Sequence, residues 1–113
     1  MSENATPETP PAAGPVLAGF QRKYLRALAH PLRPVVQVGD AGVTTEVVQA
    51  VRTALRDHEL IKVRMRQPKD KAAFCQAMAD GSGSAVCGLV GHTAILYKPH
   101  PKKPQIHLPQ REG

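Results

Sequence analysis

The residues best suited to chemistry are a glycine-spaced turn, Gly39-Asp40-Ala41-Gly42, and a set of cations on either side of it: Arg22, Lys23, Arg26, Arg33, Lys62, Arg64 and Arg66. A G-x-x-G turn between a buried strand and a capped helix aims several backbone N–H groups outward at one spot, which suits a phosphate. Most such turns are only turns, and Lys62, Arg64 and Arg66 also read as a solvated strand face. It is the basic setting that turns the loop into a candidate anion site.

Catalytic chemistry finds no such constellation. His30, His58, His92, His100 and His107 match no metal-ligand spacing, and none is paired at informative spacing with a Ser, Cys or carboxylate. His58 reads as a helix-closing residue favoured by the dipole. His92 stays a candidate because it falls at an exposed hairpin tip. Cys75 and Cys87 form no C-x-x-C pair and read as small, buried, reduced thiols. No enzyme activity, cofactor, metal or small-molecule substrate is expected.

The elements that must position these residues follow from pattern. Val35, Val36 and Val38 form a short buried strand before the turn. Thr44 is the expected N-cap of the next helix, with Glu46 at the positive end of its dipole and Val47, Val48, Val51, Ala54 and Leu55 on one face. Upstream, a helix starts near Gly19 with Phe20, Tyr24, Leu25 and Leu28 on its apolar side, and Pro31 and Pro34 end it. Glu59 to Gln67 alternates, placing Ile61, Val63 and Met65 inward and the three cations outward. A third helix is predicted over Lys69 to Asp80, burying Phe74, Ala77 and Met78, with Gly81-Ser82-Gly83 after it to take positive φ. Two strands, Ser84 to Val90 and Thr93 to Lys98, meet at Gly91-His92, the pattern of a type II′ hairpin. The fold class is therefore α/β, in the order α-β-α-β-α-β-β with a four-stranded mixed sheet.

Composition bounds the rest. The first 18 residues carry a net charge of −2, residues 19–100 a net of +6 and the last 13 a net of +2. A basic domain favours a polyanion, nucleic acid before acidic membrane. Residues 1–16 and 99–113 are proline-rich, so they read as a disordered leader and an extended basic tail around one domain over residues 17–98. No apolar run approaches a membrane span, and the start lacks a basic n-region, so a cytoplasmic protein without membrane contact is expected. Phe20, Phe74, Tyr24 and Tyr97 are the only aromatics. Stacking on single-stranded bases is thus disfavoured against recognition of backbone and shape.

Three stretches in these places resemble one family. They are YLRALAHPLRPVVQVGDAGVTTEVVQAVRTALRDHELIKVR, GLVGHTAILYKP and PQIHLPQR. Together they resemble the CRM (chloroplast RNA splicing and ribosome maturation) domain family, in its short bacterial YhbY-like form, over about Leu17 to Arg111. The resemblance implies a fold similar to the C-terminal domain of bacterial translation initiation factor three, with a KH-like G-x-x-G loop. It implies a non-enzymatic RNA-binding protein, expected to be monomeric, that acts on ribosomal RNA in precursor large subunits during ribosome assembly. Carried over, Gly39 and Gly42 are the loop glycines, Arg22, Lys23, Arg26 and Arg33 the basic first-helix region, and His92 and Thr93 the hairpin turn. The family's loop usually holds small polar or basic residues, whereas Asp40 stands here. An acid about 4 Å from a phosphate costs about 4 kcal/mol at an effective dielectric of ~20. Either Asp40 turns away to cap the helix or this loop meets RNA less closely. The alternative reading is a protein-binding module on the translation machinery whose charge serves solubility.

Overall fold

The computed structural model describes residues 14–110. Its elements are α1 (Gly19–Ala29), β1 (Val36–Val38), α2 (Thr45–His58), β2 (Leu60–Met65), α3 (Lys71–Ser82), β3 (Ala85–Val90) and β4 (Thr93–Tyr97). The order is the expected one. The strands form one sheet in the spatial order β1-β2-β4-β3, with β1 parallel to β2 and the other pairs antiparallel.

Each face of the sheet is covered differently. On one face, Val36, Val38, Ile61, Val63, Met65, Ala94 and Leu96 pack with Val51 and Leu55 of α2 and Cys75 and Met78 of α3. On the other, Leu60, Cys87, Ile95 and Tyr97 meet Leu25 and Ala29 of α1, with Leu17, Ile106 and Leu108 against them. Strand alternation sends neighbouring residues to opposite faces. The second cluster covers only part of its face, and this is what leaves cations exposed near β2's far end.

Helix boundaries follow their caps. Thr44 Oγ1 accepts from the Val47 amide at 3.2 Å, as expected of the α2 N-cap. Asp70 Oδ1 accepts from the Ala73 amide at 3.1 Å, so α3 begins two residues later than Lys69. It also ends two residues later, because only Gly83 (φ 70°) takes the left-handed stop while Gly81 and Ser82 remain helical. Gly81 serves a different need: a Cβ there would lie 3.0 Å from Val48 Cγ1 of α2. With this register Ala77, expected inside, is exposed, and Cys75, Met78, Ala79 and Ser82 are buried.

Two other apolar expectations need correction. Tyr24 and Leu28 are each more than a third exposed, because Leu25 and Ala29 are the α1 residues that reach the sheet. Val35 precedes the strand and is half exposed, although its amide donates to the Lys62 carbonyl. The hairpin matches type II′: Gly91 has φ 60° and His92 is not among the positive-φ residues.

The leader expectation falls mostly outside the described residues. Within them, Gly14 sits so close to the Ser84 backbone that a Cβ would collide with it. The segment after β4 has no regular structure, yet it is pinned through Glu59. That residue is 3 % exposed, caps α2 with φ 64°, and accepts from the His100, Gln105 and Ile106 amides at 2.7–3.1 Å.

Both cysteines are buried and unpaired. Burial pushes the Cys87 thiol up to about 12, with the Arg22 and Arg26 charges opposing part of the rise. Burial also raises Cys75, and raises Tyr97 together with the charges of Glu59 and Cys87. A group whose folded pKa lies above its unfolded value stabilises fully below the unfolded value, and the stabilisation fades as pH climbs toward the folded one. Melting temperature should therefore hold to about pH 8.5 and decline above it, at up to about 1.4 kcal/mol per pH unit from Cys87. Replacing Cys87 with Ala should flatten the decline without abolishing it. An identical alkaline profile in that variant would contradict the assignment.

Candidate nucleic-acid interface

β1 and β2 run parallel, with Val38 opposite Met65, so the Gly39–Gly42 loop leaves the sheet beside the end of β2. The Arg66 amide extends the pairing by donating to the Val38 carbonyl at 2.9 Å. The hairpin tip reaches the same end, because the Met65 amide donates to the His92 carbonyl at 2.7 Å. Lys71 Nζ donates to the Gly91 carbonyl at 3.1 Å and ties the tip to α3. Three segments distant in sequence thus meet at one end of the sheet.

The loop is a β-turn closed by the Gly42 amide on the Gly39 carbonyl at 3.0 Å, with Gly42 at φ 80°. That φ favours glycine. Asp40 and Ala41 are the exposed corners of the turn, and among the described residues their amides donate to nothing. Asp40 does not cap α2, since Thr44 holds that position. Its carboxylate has no hydrogen-bond partner among the described residues.

Beside the loop lies a cleft of about 300 Å³ lined by Gln37, Arg64, Arg66, Gln67 and His92. Gln37 sits opposite Arg64, and Arg64 opposite Thr93, so the cleft is set by strand register. Neither the Arg64 nor the Arg66 guanidinium has a hydrogen-bond or ion-pair partner among the described residues. Gln67 stands at φ 45°, a conformation unfavourable for a side-chain-bearing residue.

The remaining candidates divide by what they touch. Lys62 is half-buried and donates from Nζ to the His30 carbonyl at 2.9 Å, at the negative end of α1. Arg26 Nη1 donates to the Cys87 carbonyl at 3.0 Å, its side chain lying over Gly88, where a Cβ would strike Cδ. Arg22 Nη1 donates to the Leu17 carbonyl at 2.7 Å. Lys23 is exposed on α1, and its ammonium has no partner among the described residues. Arg33 lies toward the other end of β2, beside an apolar hollow formed by Leu28, Leu32, Val35 and His58. The structure therefore brings together Gly39, Asp40, Ala41, Gly42, Arg64, Arg66 and His92. It gives Lys62, Arg22 and Arg26 contacts within the fold.

Gln37 and Gln67 were not singled out from sequence. Gln37 had a signal, a polar residue between two inward valines. For Gln67, alternation carried no sign that the strand would end in a left-handed residue. Among the described residues no cluster of His, Cys, Asp and Glu could hold a metal ion, and no helix is long and apolar enough to cross a membrane.

Comparison with known proteins gives this arrangement a family. The CRS1/YhbY (CRM) domain matches residues 17–98. The chain belongs to the CRS1/YhbY (CRM) domain family. The Bacillus subtilis protein named Probable RNA-binding protein YqeI is 38 % identical over 96 residues, covering 83 % of this chain and all of its own length. A Haemophilus influenzae protein named RNA-binding protein is 34 % identical over 97 residues, covering 84 % of this chain and 97 % of its own. The solution structure of the Staphylococcus aureus protein SAV1595 superposes with a TM-score of 0.74 at 28 % identity, over 83 % of this chain and all of that one. For this CRM-domain chain, the α/β fold with a four-stranded mixed sheet is shared with that neighbour.

Proposed function

We propose that this CRM-domain protein is a non-enzymatic RNA-binding protein that contacts phosphates through the loop end of its sheet. The observation carrying this reading is the convergence there of unbonded turn amides with Arg64, Arg66 and His92. Guanidinium groups and free N–H donors are the groups that hold phosphate oxygens. The family and the names of its relatives support RNA as the polyanion. The finer reading is action on ribosomal RNA in precursor large subunits, as a monomeric cytoplasmic assembly factor.

Sedimentation of lysates tests it. The protein should travel with immature large subunits, detach as salt is raised, and leave them on ribonuclease treatment. Retention on a protein partner after ribonuclease would favour the translation-machinery module instead. Absence from all subunit fractions would contradict the ribosomal reading.

A further inference from the structure

The opposite end of the sheet carries a second basic cleft. Glu59 and Lys98 flank the Leu60–Tyr97 pair there, about 16 Å along β2 from Met65 at the usual strand rise. The cleft has a volume of about 520 Å³, within the range of sites that enclose a small ligand or part of a larger one. Arg52 and Arg56 border it from α2, and Lys98 and His100 from the segment after β4. Leu55 and Pro99 supply apolar lining.

The donors are available. Arg52 and Arg56 are one helical turn apart and so share a face. Both are exposed, and neither guanidinium has a hydrogen-bond or ion-pair partner among the described residues. Lys98 Nζ gives one bond to the Ser82 carbonyl at 3.1 Å and keeps two donors. His100 Nδ1 accepts from the Lys102 and Lys103 amides at 3.1 and 3.0 Å, which leaves Nε2 as its donating atom. The nearby acid, Glu59, has both carboxylate oxygens occupied by three backbone amides and pairs with none of these cations among the described residues. Two unpaired guanidinium groups with an ammonium and an imidazole around one cleft match phosphate oxygens better than any neutral ligand.

We infer that this cleft is a second phosphate-binding site, which holds the backbone of the same RNA at a tract separate from the one at the loop end. The inference rests on the RNA-binding reading above. It adds Arg52, Arg56, Lys98 and His100, none of which lies near the G-x-x-G turn.

The test is filter binding of labelled full-length large-subunit ribosomal RNA transcript, at salt between about 50 and 200 mM. The proteins are wild type, Arg52→Gln/Arg56→Gln, Arg52→Lys/Arg56→Lys and Arg64→Gln/Arg66→Gln, each checked by thermal melting. Arg52→Gln/Arg56→Gln should bind roughly tenfold more weakly, with a salt slope lower by about one to two units, and the Lys pair should recover much of the loss. If only Arg64→Gln/Arg66→Gln loses affinity, the second site is wrong and the proposed function stands. If only the α2 pair matters, the second site stands and the loop-end interface falls. If neither matters, both fall. AMP distinguishes a free nucleotide from RNA: it should bind only weakly, and more weakly to Arg52→Gln/Arg56→Gln than to wild type. Tight AMP binding that leaves RNA affinity unchanged would overturn the RNA assignment.

Discussion

Replacing Glu59 with Ala should lower unfolding free energy by roughly 2–4 kcal/mol and detach the segment after β4. The carboxylate holds the His100, Gln105 and Ile106 amides at 2.7–3.1 Å from a side chain that is nearly fully buried. A hydrogen bond to a charged group contributes about 1.5–3 kcal/mol, and a buried donor left unmade costs about 1–3. The segment can swing out and let water satisfy its amides, which caps the loss below the sum of three bonds. That escape carries its own cost, since Ile106 and Leu108 leave the cluster around Leu25, Leu60 and Tyr97. Against a typical total of about 5–15 kcal/mol, the effect is large. Glu59→Gln retains one acceptor oxygen and should fall between. Urea unfolding gives the energy, and hydrogen exchange at Gln105 and Ile106 reports the detachment. Wild-type stability together with protected amides in Glu59→Ala would refute the role.

Arg64→Gln with Arg66→Gln should weaken RNA binding by roughly tenfold or more, lowering the slope of log affinity against log salt by about one to two units. Both side chains border the loop-end cleft and neither supports the fold through a hydrogen bond or ion pair among the described residues. Melting temperature should therefore hardly move. Lys62→Gln gives the contrast. Its ammonium caps the His30 carbonyl, so its loss should cost stability of about 0.3–1 kcal/mol, the range for a cation at a helix C-terminus. RNA affinity should change less than in the arginine pair. If Lys62→Gln harmed binding as much as the arginine pair, the outward face of β2 would be acting as one patch.

The order of elements was legible because its signals are local: Thr44 before an apolar stripe, alternation from Ile61 to Met65, Gly91-His92 between two apolar runs. So was the turn at Gly39–Gly42. The sorting of the cations was not, because Lys62, Arg64 and Arg66 look equivalent on an alternating strand. What separates them is that α1 ends above Lys62 and leaves Arg64 open, a relation set by tertiary packing. Arg26 was equally unreadable, since its place over Gly88 joins residues 62 positions apart in the chain. Glu59 was hidden for a related reason: in sequence it is one acid at a helix–strand junction, and its three partners lie more than 40 residues on. Ala77 and Tyr24 failed for a simpler one, because a short amphipathic helix leaves a residue or two of freedom in which face turns inward.

The proposed contact between loop and RNA is most directly tested through Asp40, an exposed acid at the corner of the turn whose carboxylate has no hydrogen-bond partner among the described residues. RNA affinity of Asp40→Lys, Asp40→Asn and wild type is measured across a salt series. Phosphate at the loop predicts the tightest binding for Asp40→Lys, with the salt dependence steeper by roughly one unit and Asp40→Asn between the two. Since Thr44 caps α2, the three proteins should melt alike. Three coincident salt series from equally stable proteins would contradict the account and reduce the G-x-x-G loop to a structural turn.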